Sequence, residues 1–271
     1  MKRFAPALML LVGCQGAPAP ATPAAPAPTP SPAASSPVPA PQVEDPVARA
    51  LQAKDRSEAD RTLDAGRHAK ELFGFFGVKP GMRVAELGAG GGYTAEILAR
   101  IVGPKGQVFG QNSKFILERF AAQPWGERLQ KPVMANVVRV DREFDDPLPP
   151  EATNLDVVFL ILFYHDSVWM ETDRAKMNQA IFRALKPGGI FAVVDHSAAE
   201  GAGVKEVKTL HRIEESVVKS EVEAAGFRLL QSADFLRNPE DKRDWNASPR
   251  EAGERRGQSD RFVLKFERPA S

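Results

Sequence analysis

Cysteine is nearly missing from this chain of 271 residues: a single one, Cys14, excludes an intrachain disulfide and any metal site built from several thiolates. Net charge is nearly missing as well. The 36 basic and 35 acidic residues leave +1 at pH 7, so no overall field draws the chain to nucleic acid. The apolar stretch at the amino terminus, residues 4–12, is interrupted by Pro6 and falls short of the roughly 20 residues that a bilayer-crossing helix needs. What is present is a globular composition, 43% hydrophobic, long enough to bury one full α/β core.

Lys2 and Arg3 followed by that short apolar stretch read as a secretory signal. Leu11-Val12-Gly13-Cys14 resembles the lipobox of bacterial lipoproteins, which implies acylation of Cys14 and a lipid anchor in the cell envelope, on the periplasmic side. A misassigned start would instead leave the protein cytoplasmic. Residues 15–45 are mostly Ala and Pro, with too few large apolar side chains to offset the entropy of ordering, and are expected to form an unfolded tether. The division that follows is a signal over 1–14, a linker over 15–45, helices over 46–80 that pack on the core, and a main domain over 81–271. Within 46–76, His68 reads as a half-exposed helix position; leaning over a ligand mouth is its alternative.

The chain is organised around residues 84–94, Val-Ala-Glu-Leu-Gly-Ala-Gly-Gly-Gly-Tyr-Thr. An apolar strand over 84–87 ends beside Glu86, and Gly88, Gly90 and Gly92 alternate before a helix over 95–101. Glycines at this spacing allow a sharp turn and close approach of a ligand to backbone, with the free N–H groups of the helix pointing at it. A dinucleotide loop, G-x-G-x-x-G, would need a small residue where Tyr93 stands, which argues against a nicotinamide cofactor.

Further strands are read at 107–110, 137–140, 155–163 and 190–194, with closing strands at 227–230 and 261–266. A helix over 115–122 is closed by Pro124-Trp125, and another spans 213–225 before Gly226. The polar triplets Tyr164-His165-Asp166 and Asp195-His196-Ser197 follow a strand of buried character opened by Asp156 and a fully apolar one, and are expected to lie side by side at the ligand mouth. The charged loop between 237 and 259 reads as functional or unstructured, with a lid over substrate as one possibility.

The spacing E-x-G-x-G-x-G and the Leu185-Lys186-Pro187-Gly188-Gly189 turn before the strand at 190 resemble class I S-adenosylmethionine-dependent methyltransferases. The two triplets, the His-Arg-Ile-Glu run from His211 and the Asp-Arg-Phe-Val-Leu-Lys-Phe ending narrow this to a group of bacterial predicted methyltransferases. The resemblance covers residues 75–267. It implies an α/β fold, a doubly wound (Rossmann-like), mostly parallel seven-stranded sheet with helices on both faces. It also implies S-adenosyl-L-methionine as cofactor, held by Glu86, Gly88, Ala89, Gly90, Gly92 and Tyr93.

Asn112 stands where the family places a ribose-binding acid, and an amide offers one donor and one acceptor head for the diol. Asp141 is the first choice, among the acids at 141–146, for the adenine amino group. His165 is expected to be the general base, with Tyr164 and Asp166 as catalytic neighbours. Asp195, His196, His211 and Arg212 are expected to bind a small-molecule acceptor. A magnesium-assisted variant on Asp166, Asp195, His196 and His211 is the weaker alternative, because magnesium prefers oxygen ligands, so no metal is expected. The alternative of another class is a non-catalytic envelope lipoprotein that uses the fold as a binding module. The acceptor's identity and the oligomeric state stay open.

Overall fold

The computed structural model describes residues 45–270, together with Gly16, Ala17 and Pro20. Cys14, the signal and nearly all of the linker lie outside the described residues. Among the described residues no helix is long and apolar enough to cross a membrane.

The alternation of apolar strands with helices builds a seven-stranded sheet in the order β3-β2-β1-β4-β5-β7-β6. Its parallel members are β1 (Arg83–Leu87), β2 (Gln107–Asn112), β3 (Val137–Asp141), β4 (Leu155–Ile161) and β5 (Leu185–His196). The last strand, β7 (Arg261–Glu267), runs antiparallel between β5 and β6 (Arg228–Ala233). Chain order reverses where β1 meets both β2 and β4, and the crevice beyond the carboxyl ends of those strands is where ligands bind in such sheets.

Three amino-terminal helices complete the core: α1 (Pro46–Gln52), α2 (Glu58–Arg67) and α3 (Ala69–Phe76). Asp45 and Ser57 cap the first two, each accepting a backbone N–H, from Val47 at 3.0 Å and Asp60 at 3.2 Å. Phe73 and Phe76 meet Phe159 of β4 edge-on at 6.1 and 5.6 Å. A charged network then fastens these helices to α4 (Tyr93–Val102), with Arg128 donating to Asp60 at 2.7 Å and to Glu96 at 2.5 Å.

Four local expectations change. Pro124 does not close the helix after β2: α5 (Lys114–Ile116) passes through a π-helical segment, Leu117–Ala121, into α6 (Ala122–Leu129). The wider turn comes just before the proline, which sits in the first turn of α6, where its missing N–H costs little. Asp195 and His196 belong to β5 itself, paired with Phe262 and Arg261. The triplet from Tyr164 forms the first turn of α7 (Tyr164–Trp169), entered through Leu162 at φ +56. The next helix, α8 (Arg174–Ala184), is followed much later by α9 (Glu215–Ala224); Ile213 precedes α9 and bridges to Ser197.

The segment 237–259 is held in place. Arg212, 0% exposed, pairs with Asp241 at 2.9 Å and donates to the Trp245 and Ser197 carbonyls, while Arg243 pairs with Asp260 at 2.7 Å. Arg212 is therefore corrected from a substrate ligand to the buried cation that fixes this strap, because its guanidinium nitrogens are already hydrogen-bonded and it stacks over Trp245.

Candidate active site

The glycine loop between β1 and α4 is pinned from β2. Gly88 donates its N–H to Gln111 Oε1 at 2.9 Å, Gly90 donates to Asn112 Oδ1 at 2.8 Å, and Asn112 Nδ2 donates back to the Gly90 carbonyl at 3.1 Å. Asn112 is fully buried and its amide is committed at both ends. Its expected ribose role is corrected accordingly: it shapes the loop and does not face the mouth.

Two of the three glycines serve packing. A Cβ on Gly88 would press on the Phe163 ring at 3.1 Å; one on Gly92 would lie 2.4 Å from the Trp125 ring. Gly90 is different: with φ at +56 and no atom within 4 Å of where a Cβ would stand, it leaves open space above the turn. That is the point where a ligand can come close to the backbone.

Glu86 lies at the carboxyl end of β1, buried, with Oε2 lacking any hydrogen-bond partner. Burial raises its pKa to about 8 against the opposing pull of the Thr94 hydroxyl and the Arg67 charge. Arg67 is stationed over the Tyr93 ring, 5.2 Å from its centroid, and burial lowers its pKa. Tyr93 donates its hydroxyl to Asp64 at 2.8 Å, so only the ring faces Arg67. A cavity of about 10 Å³ lined by Arg67, Tyr93, Thr94, Leu162 and Arg261 lies at this end of the strands. A carboxyl with one unsatisfied oxygen and a guanidinium near enough to act on it electrostatically offer one group for an ammonium and one for a carboxylate. An amino-acid head carries that pair of charges, as does the S-adenosylmethionine implied by the loop, while the cavity itself has room for about one water.

The second pole of the mouth is a cluster of imidazoles and carboxylates. His165, 2% exposed, holds Asp195 through Nδ1 at 2.7 Å, and Asp195 Oδ2 also accepts the His165 backbone N–H at 2.8 Å. Nε2 of His165 lies 3.2 Å from Asp166 Oδ1 and 3.2 Å from His211 Nδ1. Asp166 Oδ1 is also 3.2 Å from His211 Nδ1 and accepts Trp169 Nε1–H at 2.7 Å. Burial opposes charge on His165, yet the Asp195 and Asp166 carboxylates outweigh it and raise its pKa to about 10. Despite its burial, the His165 charge and hydrogen bonds from His165, His211 and Trp169 hold Asp166 well below the usual carboxylate range. The expectation of a general base at His165 is thus corrected: Asp195 and Asp166 clamp the ring from both sides and favour its protonated form.

Other expected site residues are turned elsewhere. Tyr164, 0% exposed, donates its hydroxyl to Glu221 of α9 at 2.8 Å and accepts Asn178 Nδ2–H from α8 at 2.9 Å, away from the partners of His165. It is structural, not catalytic. Asp195 is completely buried and orients His165 instead of meeting an acceptor. His196 Nδ1 contacts Ser259 Oγ at 2.7 Å; burial first, and then neighbouring cations, keep its ring neutral. It ties β5 to the strap from a buried position. Asp141 ends β3 paired with Arg139 at 2.8 Å and stands exposed at the rim. Ala89 stays in the loop, donating to the Gln111 carbonyl at 2.8 Å. His68 caps α2 in a left-handed conformation and stacks on Phe235 at 6.3 Å.

Three contributors escaped the sequence reading: Gln111, Trp125 and Arg67. Trp125 lies beneath both Gly92 and Gly110; a Cβ added at Gly110 would meet its ring at 2.8 Å. A small residue at 110 opposite a large aromatic was the one available signal. Nothing in the local pattern marks Arg67.

Comparison with known proteins agrees with this geometry. A profile described as a methyltransferase domain matches residues 78–246, more than half of the chain. Among solved structures, a SAM-dependent methyltransferase from Aquifex aeolicus is similar with a TM-score of 0.54 at 20% identity, over 82% of this chain and 98% of that one. An S-adenosylmethionine-dependent methyltransferase from Mesorhizobium loti gives 0.51 at 16% identity, over 76% and 100%. An arsenic(III) S-adenosylmethionine methyltransferase from Chlamydomonas reinhardtii gives 0.51 at 18%, over 83% and 74%. At these identities the structures share the fold. With the profile match, the seven-stranded sheet and the glycine loop together, the chain belongs to the methyltransferase domain family, the Rossmann-like domains that use S-adenosylmethionine.

Proposed function

We propose that this protein transfers the methyl group of S-adenosylmethionine to a small-molecule acceptor bound between the glycine loop and the His165–Asp166–His211 cluster. The observation that carries this is the buried, partnerless Glu86 Oε2 at the end of β1, on the strand that leads into the open turn at Gly90. When bound, the cofactor supplies a methyl on a positively charged sulfur, already a good leaving group. The chain's own task is then alignment, which alone can lower a barrier by about 7–11 kcal/mol in favourable cases.

Glu86 and Arg67 would hold the amino-acid head, and the Gly88–Gly92 turn would follow the cofactor's path across the strand ends. The acceptor side is polar at His165, Asp166 and His211 and apolar next to it. Trp169 packs edge-on against Phe115 at 5.7 Å, and Phe120 beyond it is exposed. This pairing suits an acceptor with one polar nucleophilic group on an apolar body. Cys14 would, by the same proposal, tether the enzyme to the envelope through an acyl chain.

Calorimetric titration tests the cofactor: one equivalent of S-adenosylmethionine should bind and NAD should not. Incubation with methyl-labelled cofactor and a small-molecule extract should then move label into the low-mass fraction. Failure to bind S-adenosylmethionine would overturn the proposal.

A further inference from the structure

The three inward-facing atoms of the second pole form a nearly equilateral triangle. His165 Nε2, Asp166 Oδ1 and His211 Nδ1 are separated by 3.2 Å along each edge. Hydrogen bonding alone does not satisfy it. His165 spends its Nδ1–H on Asp195, so the edges must be served by protons on His165 Nε2 and His211 Nδ1. With both present, two N–H groups confront one another at 3.2 Å. With one, an imidazole lone pair faces the Asp166 carboxylate. With Asp166 ionised, no proton arrangement makes all three edges favourable.

We propose that this triangle is a site for one divalent transition-metal ion, ligated by His165 Nε2, Asp166 Oδ1 and His211 Nδ1. Tetrahedral bonds of about 2.0–2.1 Å to nitrogen and oxygen place ligand atoms roughly 3.3 Å apart, close to the edges observed. An ion at that bond length would sit about 0.9 Å above the plane of the three atoms. Two imidazoles and one carboxylate favour zinc, cobalt, iron or manganese over magnesium and calcium, which take all-oxygen shells.

The surroundings have the form of a metal site's supporting groups. Asp195, fully buried, accepts the Nδ1–H of His165 and leaves Nε2 as the ring nitrogen that would exchange its proton for the ion. The Trp169 indole N–H fixes the Asp166 carboxylate. His211 reaches the cluster from a left-handed backbone position, φ +50, that a non-glycine residue adopts at a cost. His211 and Asp166 are partly exposed, so a fourth ligand position is open. Resting on the methyl-transfer proposal, that position would take an oxygen or sulfur donor of the acceptor.

The test uses the full chain without a histidine tag, stripped with a chelator and titrated with Co2+. One Co2+ per chain should bind, with visible d–d absorption, and Zn2+ should displace it. His211→Gln and Asp166→Asn should each weaken uptake by at least about 100-fold, and Asp195→Asn by about 10- to 100-fold. His68→Gln, outside the cluster, should leave it unchanged. Absence of one-to-one uptake by the wild-type chain overturns the site whatever the variants do, and so does a stoichiometric signal that survives in both ligand variants. Wild-type protein that takes up Co2+ but binds no S-adenosylmethionine supports the site and overturns only the methyl-transfer proposal.

Discussion

Replacing Glu86 by Gln offers the sharpest view of how the site is built. A carboxyl with a pKa of about 8 in the folded chain and 4.5 as its ordinary value keeps its proton between those limits while the unfolded chain has lost it. The folded state binds more protons throughout that window. Its stability therefore falls as pH rises from 4.5 to 8, at about 1.4 kcal/mol per pH unit, and levels off above. The full effect is on the order of 5 kcal/mol, comparable to the whole stability of a small domain. Glu86→Gln removes the titrating group and nearly preserves shape, so the variant should gain on wild type steadily from about pH 5 to 8.5 in urea denaturation. Binding of a cationic ligand head should reverse the situation by ionising Glu86, releasing close to one proton per S-adenosylmethionine at about pH 7. Calorimetry in buffers of different ionisation enthalpy reads that number directly. Glu86→Gln should release none and bind about 10- to 100-fold more weakly, the loss expected for one charged hydrogen bond. Parallel pH–stability curves for the two proteins, or binding without proton release in wild type, would refute the reasoning.

The glycines separate packing from ligand approach. Gly92→Ala, with its Cβ driven into Trp125 at φ +83, should cost about 2–4 kcal/mol of stability, seen as a lower urea midpoint. Gly90→Ala meets no atom and should cost only about 1 kcal/mol through its positive φ, yet reduce cofactor affinity sharply in calorimetry. Tyr164→Phe should lose about 1–2 kcal/mol, from the buried bonds to Glu221 and Asn178, while turnover is unchanged; a collapse in turnover would restore the tyrosine to the chemistry. Cys14→Ala should abolish incorporation of labelled palmitate and release the protein from the membrane fraction.

Local pattern carried the fold because it needs only nearest-neighbour information. Apolar runs at 84–87, 155–161 and 190–194 have few ways to be buried except as parallel strands, and turn residues at Gly103, Gly188 and Gly226 punctuate them wherever they land. The loop after β1 was legible for the same reason: Gly88, Gly90 and Gly92 follow their strand directly. What the side chains do there was not. Asn112 turns under the loop because Gly90 offers it both a donor and an acceptor across a parallel register set by β1 and β2. Tyr164 and His165 part company because α7 begins at that point, and successive residues on a helix point about 100° apart, whereas the sequence suggests only a strand end. His211 is delivered to His165 by the bridge between Ile213 and Ser197 and by the buried Arg212–Asp241 pair, long-range contacts that no periodicity encodes. Strand and turn follow from neighbours along the chain. The direction of each polar group at the mouth follows from neighbours across it, and those exist only once the sheet has closed.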